Sequence, residues 1–150
     1  MQAQRRELLK LLSLMAAAGL LPVSPARAEE WNKAAFEAKK VDDVVRMLGG
    51  SAPQQSIDLV LNGPEIAENG AVVPLDIESK LANTESIAIL IEKNPNVLAA
   101  YFSIPAGTLP WLQTRVKMAE TCNVYALARA DGRFYYAARE IKVTIGGCGG

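Results

Sequence analysis

From Ile57 onward the apolar residues of this chain recur at every second position, and turn residues interrupt them at near-regular intervals. A period of two belongs to strands with one face buried, because successive side chains of a strand point to opposite faces. Ile57, Leu59 and Leu61 predict a first strand ended by Asn62-Gly63-Pro64. Val73, Leu75 and Ile77 predict a second, with Pro74 marking an edge or a strand start. Ile87, Ile89 and Ile91 predict a third, closed by Asn94-Pro95-Asn96, and Leu98, Ala100, Phe102 and Ile104 a fourth, ended by Pro105 and Gly107. Val116 and Met118 mark a fifth, and Cys122 to Ala128 a sixth. Asp131-Gly132 is a two-residue hairpin signal of the type I′ kind. The last strand opens with Phe134 and Tyr136 in one parity and continues with Ile141, Val143 and Ile145 in the other, which predicts a β-bulge near Arg139-Glu140. About seven short strands with such punctuation specify an all-β, antiparallel sandwich.

Ahead of the strands, Trp31, Ala34/Ala35, Ala38, Val41, Val44/Val45 and Leu48 sit at helical spacing with charges between them. One helix from Trp31 to Leu48 is expected, stopped by Gly49-Gly50 and packed onto its own domain. Further upstream, Arg5-Arg6-Glu7-Leu8-Leu9-Lys10 precedes the apolar stretch Leu11 to Leu21, then Pro22, Pro25 and the small-x-small pattern Ala26-Arg27-Ala28. A basic start, an apolar run too short to span a bilayer comfortably and a processing site make a signal peptide over residues 1–28. The paired arginines resemble a twin-arginine signal, with Leu8 where phenylalanine is commoner and Gln4 where serine is. Export by that route, a periplasmic location and a mature chain from near Glu29 are the expectations. No later stretch is long and apolar enough to cross a membrane.

Removing residues 1–28 takes away Arg5, Arg6, Lys10 and Arg27 and the single acid Glu7. Twelve positive and fifteen negative side chains remain, a mildly acidic body sized for one domain over residues 29–145. With no basic stripe, a nucleic-acid partner has no electrostatic support. Histidine is absent, which removes the usual general base at neutral pH and the commonest metal ligand. Neither a catalytic residue set nor a metal or other cofactor is expected.

The chemistry then falls to the chain end, Gly146-Gly147-Cys148-Gly149-Gly150. Glycines offer nothing to bury and open backbone conformations closed to other residues, and chain ends are poorly ordered unless tied down. Cys148 is therefore expected to be a thiol on a thin tether, residues 146–150, that reaches at most roughly 17 Å past Ile145. No cation neighbours Cys148 in sequence, and the terminal carboxylate two residues on disfavours its thiolate. The second cysteine, Cys122, shares the apolar phase of Val124, Ala126 and Ala128. It reads as a small buried hydrophobe, with a disulfide to Cys148 or a resolving thiol as the sharper alternatives.

The run Val143-Thr144-Ile145-Gly146-Gly147-Cys148-Gly149-Gly150 resembles the carboxy terminus of the SoxY family, carriers of sulfur intermediates in periplasmic thiosulfate oxidation. The likeness extends to Pro64-Glu65-Ile66-Ala67-Glu68-Asn69-Gly70-Ala71-Val72-Val73-Pro74, to Ile91-Glu92-Lys93-Asn94-Pro95-Asn96 and to Thr114-Arg115-Val116-Lys117-Met118-Ala119. Val97 stands where the family pattern has proline, and Cys122 adds a second cysteine to a single-cysteine pattern. The resemblance implies an immunoglobulin-like sandwich that pairs with a second small sandwich protein, SoxZ. It implies covalent attachment of substrate at Cys148, with Gly146, Gly147, Gly149 and Gly150 as the carrier arm. It also implies enzyme partners: a c-type cytochrome that conjugates thiosulfate to the cysteine, a hydrolase that releases sulfate and a sulfane dehydrogenase. The chain itself would be a carrier, not an enzyme.

Three other functions compete. Gly149-Gly150 is shared with ubiquitin-like sulfur carriers, whose thiocarboxylate chemistry needs ATP that an exported protein does not meet. A structural module would use Cys148 only for an intermolecular disulfide. A thiol-disulfide oxidoreductase would need a Cys-x-x-Cys pair that the chain lacks. Asn69-Gly70 and Asn94-Pro95 read as turns. Trp111-Leu112 and Tyr135-Tyr136 read mostly as core, with a partner face as the alternative.

Overall fold

The computed structural model describes Arg6, Glu7, Lys10 and residues 32–144. The chain divides into two units, residues 1–31 and 32–150, and all the elements below lie in the second. Two short helices, α1 (Lys33–Glu37) and α2 (Val41–Met47), come first. Nine strands follow: β1 (Gln54–Gln55), β2 (Leu59–Asn62), β3 (Ile66–Ala67), β4 (Val73–Ser79), β5 (Thr84–Ile91), β6 (Leu98–Ser103), β7 (Trp111–Val116), β8 (Cys122–Ala130) and β9 (Arg133–Val143). One sheet runs β9-β8-β5-β6 with antiparallel neighbours, and β1 and β3 add short parallel pairings to β9. The other is the antiparallel sheet β2-β4-β7. Strands of one sheet followed in sequence by strands of the other make the immunoglobulin-like sandwich expected of the seven longer strands.

Two cores share the large sheet. Ile87, Ile89 and Ile91 of β5, Val124, Ala126 and Ala128 of β8 and Ile141 of β9 face Leu59, Leu61, Val73, Leu75, Ile77 and Val116 of the small sheet. Each of the fully buried isoleucines contributes roughly 1.5–3 kcal/mol by leaving water. The opposite parity of the same strands, Ala88, Leu90, Leu127 and Phe134, packs beneath Ala35, Ala38, Val44 and Val45 of the helical segment. The central strands β5 and β8 are therefore buried on both faces.

This second core explains the parity change in the last strand. β9 pairs with β8 in unbroken register from Cys122↔Ile141 to Ala130↔Arg133, so the expected bulge near Arg139-Glu140 does not exist. Phe134 and Tyr136 point to the helices, whereas Ala137, Ile141 and Val143 point to the small sheet. The register irregularities lie elsewhere: Glu85 is the extra residue of β5 against β8, and Ala99 is the extra residue of β6 opposite Ile89/Leu90. The Asp131-Gly132 hairpin forms as expected, with φ of 47° and 71° at its two central residues.

The single expected helix is divided. Ala38 has φ −63° and ψ 142°, and Lys40 is extended at φ −132° and ψ 146°. The break is held by contacts distant in sequence: Val97 N–H donates to Ala38 O at 3.1 Å, and Lys39 Nζ donates to Pro95 O at 2.7 Å. Asn32 caps α1 through Oδ1 to Ala35 N–H and, through Nδ2, reaches Met47 O at the end of α2. Both helices still bury one common face, which is why the helical spacing persists across the break.

Smaller departures concern strand limits. Ile57 is 91% exposed in the turn before β2, and Met118 lies beyond the end of β7. The two-residue strands β1 and β3 carry no alternation to read. Leu112 and Tyr136 pack against the cores, as expected of most of these aromatic and apolar pairs, but Trp111 is exposed.

Candidate functional site at the root of the carboxy-terminal segment

Cys148 and Gly146, Gly147, Gly149 and Gly150 lie outside the described residues, as does Ile145. What can be built is the ground they spring from. The chain is hydrogen-bonded on both sides up to Thr144. On the outer side of β9, Lys142 N–H donates to Glu65 O at 3.0 Å and Thr144 N–H to Ala67 O at 3.1 Å. Thr144 Oγ1 adds a bond to Glu68 O at 3.3 Å. On the inner side, Val143 N–H donates to Thr121 Oγ1 at 2.9 Å, continuing the β8 ladder one residue past its end. Cys148 is the fourth residue after Thr144, so covalent reach confines its Cα to within about 14 Å of a fixed point.

The local sequence explains the clamp. Asn69 Oδ1 accepts from Ala71 N–H at 2.9 Å, the side-chain turn expected of Asn-Gly. Gly70 does more than turn: its carbonyl accepts from Met118 N–H at 2.7 Å, and a Cβ there would sit 2.6 Å from Met118 O and 2.8 Å from Val143 Cγ1. Only glycine lets the loop close onto the end of β9. Asn94 likewise exceeds its expected turn role. Its Oδ1 accepts from Ala119 N–H at 3.0 Å and its Nδ2 donates to Lys117 O at 2.7 Å. Segments 64–74, 91–96 and 114–119, far apart in sequence, thus meet at the end of the sandwich where Thr144 lies. Thr121 and the carbonyls of Glu65, Ala67 and Glu68 carried no signal in the sequence, because main-chain acceptors and a lone threonine look the same everywhere.

Cys122 is the one cysteine among the described residues. It is 5% exposed, unbridged, and packed in the inter-sheet core. Burial pushes its thiol above the ordinary 9.0; the backbone at Lys93 opposes this and Glu92 adds to it. It is a neutral packing residue, which is the hydrophobe reading of its strand phase. Among the described residues no cluster of His, Cys, Asp and Glu is arranged to hold a metal ion. A cleft of about 510 Å³ opens between α2 and the large sheet, beside Tyr125 and Tyr136, whose ring centres are 6.3 Å apart. Its rim mixes Lys39 and Lys40 with Asp42 and Glu92, giving no net field for a charged ligand.

Fold and root together define a class: a small immunoglobulin-like sandwich whose terminal segment issues from a rigid, doubly hydrogen-bonded strand end. The family described as "Sulfur oxidation protein SoxY" matches residues 44–148, from within α2 to Cys148. This chain belongs to the SoxY family. A solved structure, the sulfur carrier protein SoxY from Chlorobium limicola f thiosulfatophilum, is 36% identical and superposes with a TM-score of 0.65, over 71% of this chain and 97% of that one. A chain from a structure of T cell activation by toxic shock syndrome toxin-1 is only 14% identical, with a TM-score of 0.40 over 57% of this chain and 99% of that one. No curated protein matches. Among the described residues, no helix is long and apolar enough to cross a membrane.

Proposed function

We propose that this protein carries sulfur intermediates covalently on Cys148 during thiosulfate oxidation and presents them to partner enzymes. The observation that carries the reading is the family match running through to residue 148, onto a segment rooted in a strand end fixed from both sides. The burial of Cys122 supports it, since that thiol is withdrawn from any partner.

In the first step the Cys148 thiolate and thiosulfate join through a new S–S bond with loss of two electrons, which a c-type cytochrome partner accepts. A hydrolase then adds water across the terminal S–S bond, releasing sulfate and two protons and leaving a persulfide on Cys148. A sulfane dehydrogenase then accepts electrons from that outer sulfur, which takes its oxygens from water with release of protons while it stays attached, until a sulfonate forms that the hydrolase can release. Apart from the thiol itself, the carrier supplies neither an electron acceptor nor a base. Its contribution is position: a fixed root and four glycines without side chains, slender enough to follow a narrow channel. A second small sandwich protein of the SoxZ kind is the expected companion, and a twin-arginine signal over residues 1–28 would deliver the folded protein to the periplasm.

The test is intact-mass spectrometry of the protein from its native compartment, with and without reductant, beside Cys148→Ser. Reducible adducts of sulfur and sulfur oxides that depend on thiosulfate and vanish in Cys148→Ser are expected. A bare thiol or a plain disulfide dimer, indifferent to thiosulfate, would refute the carrier and leave the structural module.

A further inference from the structure

Among the described residues, the two most exposed large apolar side chains stand at the end of the sandwich opposite Thr144: Ile57 is 91% exposed and Leu109 73%. At that end β4 finishes at Ser79, with the start of β2 on one side and the start of β7 on the other. Lys80 N–H donates to Asp58 O at 2.7 Å and Ser79 N–H to Pro110 O at 2.9 Å, so one strand end fixes the turns that carry both residues. Each turn is also closed on itself. Asp58 N–H donates to Ser56 Oγ at 3.2 Å across Ile57. Thr108 N–H donates to Pro105 O at 3.0 Å around Gly107 at φ 81°, and Trp111 N–H to Leu109 O at 2.9 Å. With β2 and β7 one strand to either side of β4, the two tips stand about 10 Å apart. Trp111, 47% exposed, follows Leu109 with its ring N–H already donating to Asp76 Oδ2 at 3.1 Å. From Val97 to Thr114 not one residue is charged, in a chain where 21% of residues are. Asp58 and Lys80, at the base of the tips, are one charge of each sign, and Asp76 and Glu78 lie farther back along β4.

We infer that this end docks on the surface of a lipid bilayer, with Ile57 and Leu109 inserted past the headgroups and Trp111 at headgroup level. The three side chains offer roughly 450 Å² of exposed surface, about half of the roughly 800 Å² that one partner brings to a specific protein interface. They also protrude singly from separate turns. A protein partner would need a fitted pocket for each, whereas fluid lipid closes around a protrusion of any shape. Main-chain bonds hold both tips outward, so insertion spends no ordering entropy on the turns. An indole whose N–H is satisfied within the protein, set at the base of an apolar tip, has the place that tryptophan takes at a membrane–water boundary. Because Asp58 and Lys80 balance, the headgroups need carry no net charge. Attachment then rests on apolar area alone, weaker than the roughly 10⁴ M⁻¹ of one myristoyl chain, and is reversible. β9 runs 11 residues from Arg133 at this end to Val143, which holds Thr144 about 35 Å from the bilayer and facing water. The inference does not depend on the chemistry at Cys148.

Flotation with phosphatidylcholine vesicles tests it, using the protein from its native compartment freed of the apolar run 11–21. A bound fraction that rises through millimolar lipid and is indifferent to salt is expected. Ile57→Ser combined with Leu109→Ser should lower the partition at least about tenfold, whereas Leu109→Phe should keep it. Tyr101→Ser, exposed on β6 away from the tips, should leave it unchanged. Circular dichroism establishes that the variants fold. Absence of flotation at every lipid concentration, or binding that survives the double substitution, would overturn the assignment. So would binding confined to phosphatidylglycerol vesicles and abolished by salt. Hydrogen-exchange protection of the two turns by another protein, with vesicles without effect, would make this end a protein interface instead.

Discussion

The two outermost strands of the large sheet are finished in opposite ways. β9 is patched along its outer side by β1 and β3 and carries Arg139, Glu140 and Lys142. β6 is unpatched by any described strand and carries no charge. An edge that must release a terminal segment has to be rigid and closed to stray pairing. The contrast teaches that the cross-edge bonds gather at the margin that leads toward the carboxy terminus: substitutions at the clamps of β9 should cost more stability than substitutions on the exposed face of β6.

The largest effect is expected at Gly70. Gly70→Ala drives a Cβ into Met118 O and Val143, and backbone cannot yield as a side-chain tip can, so a loss of about 2–3 kcal/mol is expected in denaturant unfolding. Thr121→Val leaves the Val143 N–H, part-buried, without its acceptor, and a loss of about 1–2 kcal/mol should appear by the same measurement. Asn94→Ala removes two bonds at an exposed position and should cost about 1 kcal/mol. A Thr121→Val as stable as the parent would mean that the β9 end is held by β3 alone.

Cys122 adds a pH signature to the inner core. Its folded-state pKa is raised above 9.0 by burial, so its contribution is complete below that value and is lost as pH rises through the folded pKa, where the unfolded thiol ionises first. Relative to Cys122→Val, the parent should lose stability with rising pH only in the alkaline range, read as diverging unfolding midpoints above pH 9.0. Parallel curves would place that thiol in contact with water. The smallest effect on stability belongs to β6. Tyr101→Lys should change unfolding by less than about 0.5 kcal/mol, because the side chain is exposed. A large loss of stability there would make β6 an ordinary packing strand and erase the contrast with β9.

Much of this was legible in the residues alone. Alternation at Val73-Leu75-Ile77 and Ile87-Ile89-Ile91 identified strands because one face of each meets the other sheet. Asp131-Gly132 identified a hairpin because few dipeptides accept two positive φ angles. Glycines around a terminal cysteine and the family resemblance singled out Cys148. The parity change at β9 misled, since a pattern of apolar residues reports burial and not which body does the burying. With helices on one side and a sheet on the other, both parities were satisfied by a straight strand.

Local chemistry, then, was determined by the sequence: strand periodicity, turn types, an absence of histidine, a thiol set among glycines. The tertiary structure decided what depends on distant residues meeting. It broke the helix at Ala38 by bonding it to Val97, and it required glycine at 70 because Met118 and Val143 arrive there. It also set β3 and Thr121 on either side of the end of β9. These are contacts between main-chain groups that every residue possesses, so no residue's identity announces them until the fold brings them together.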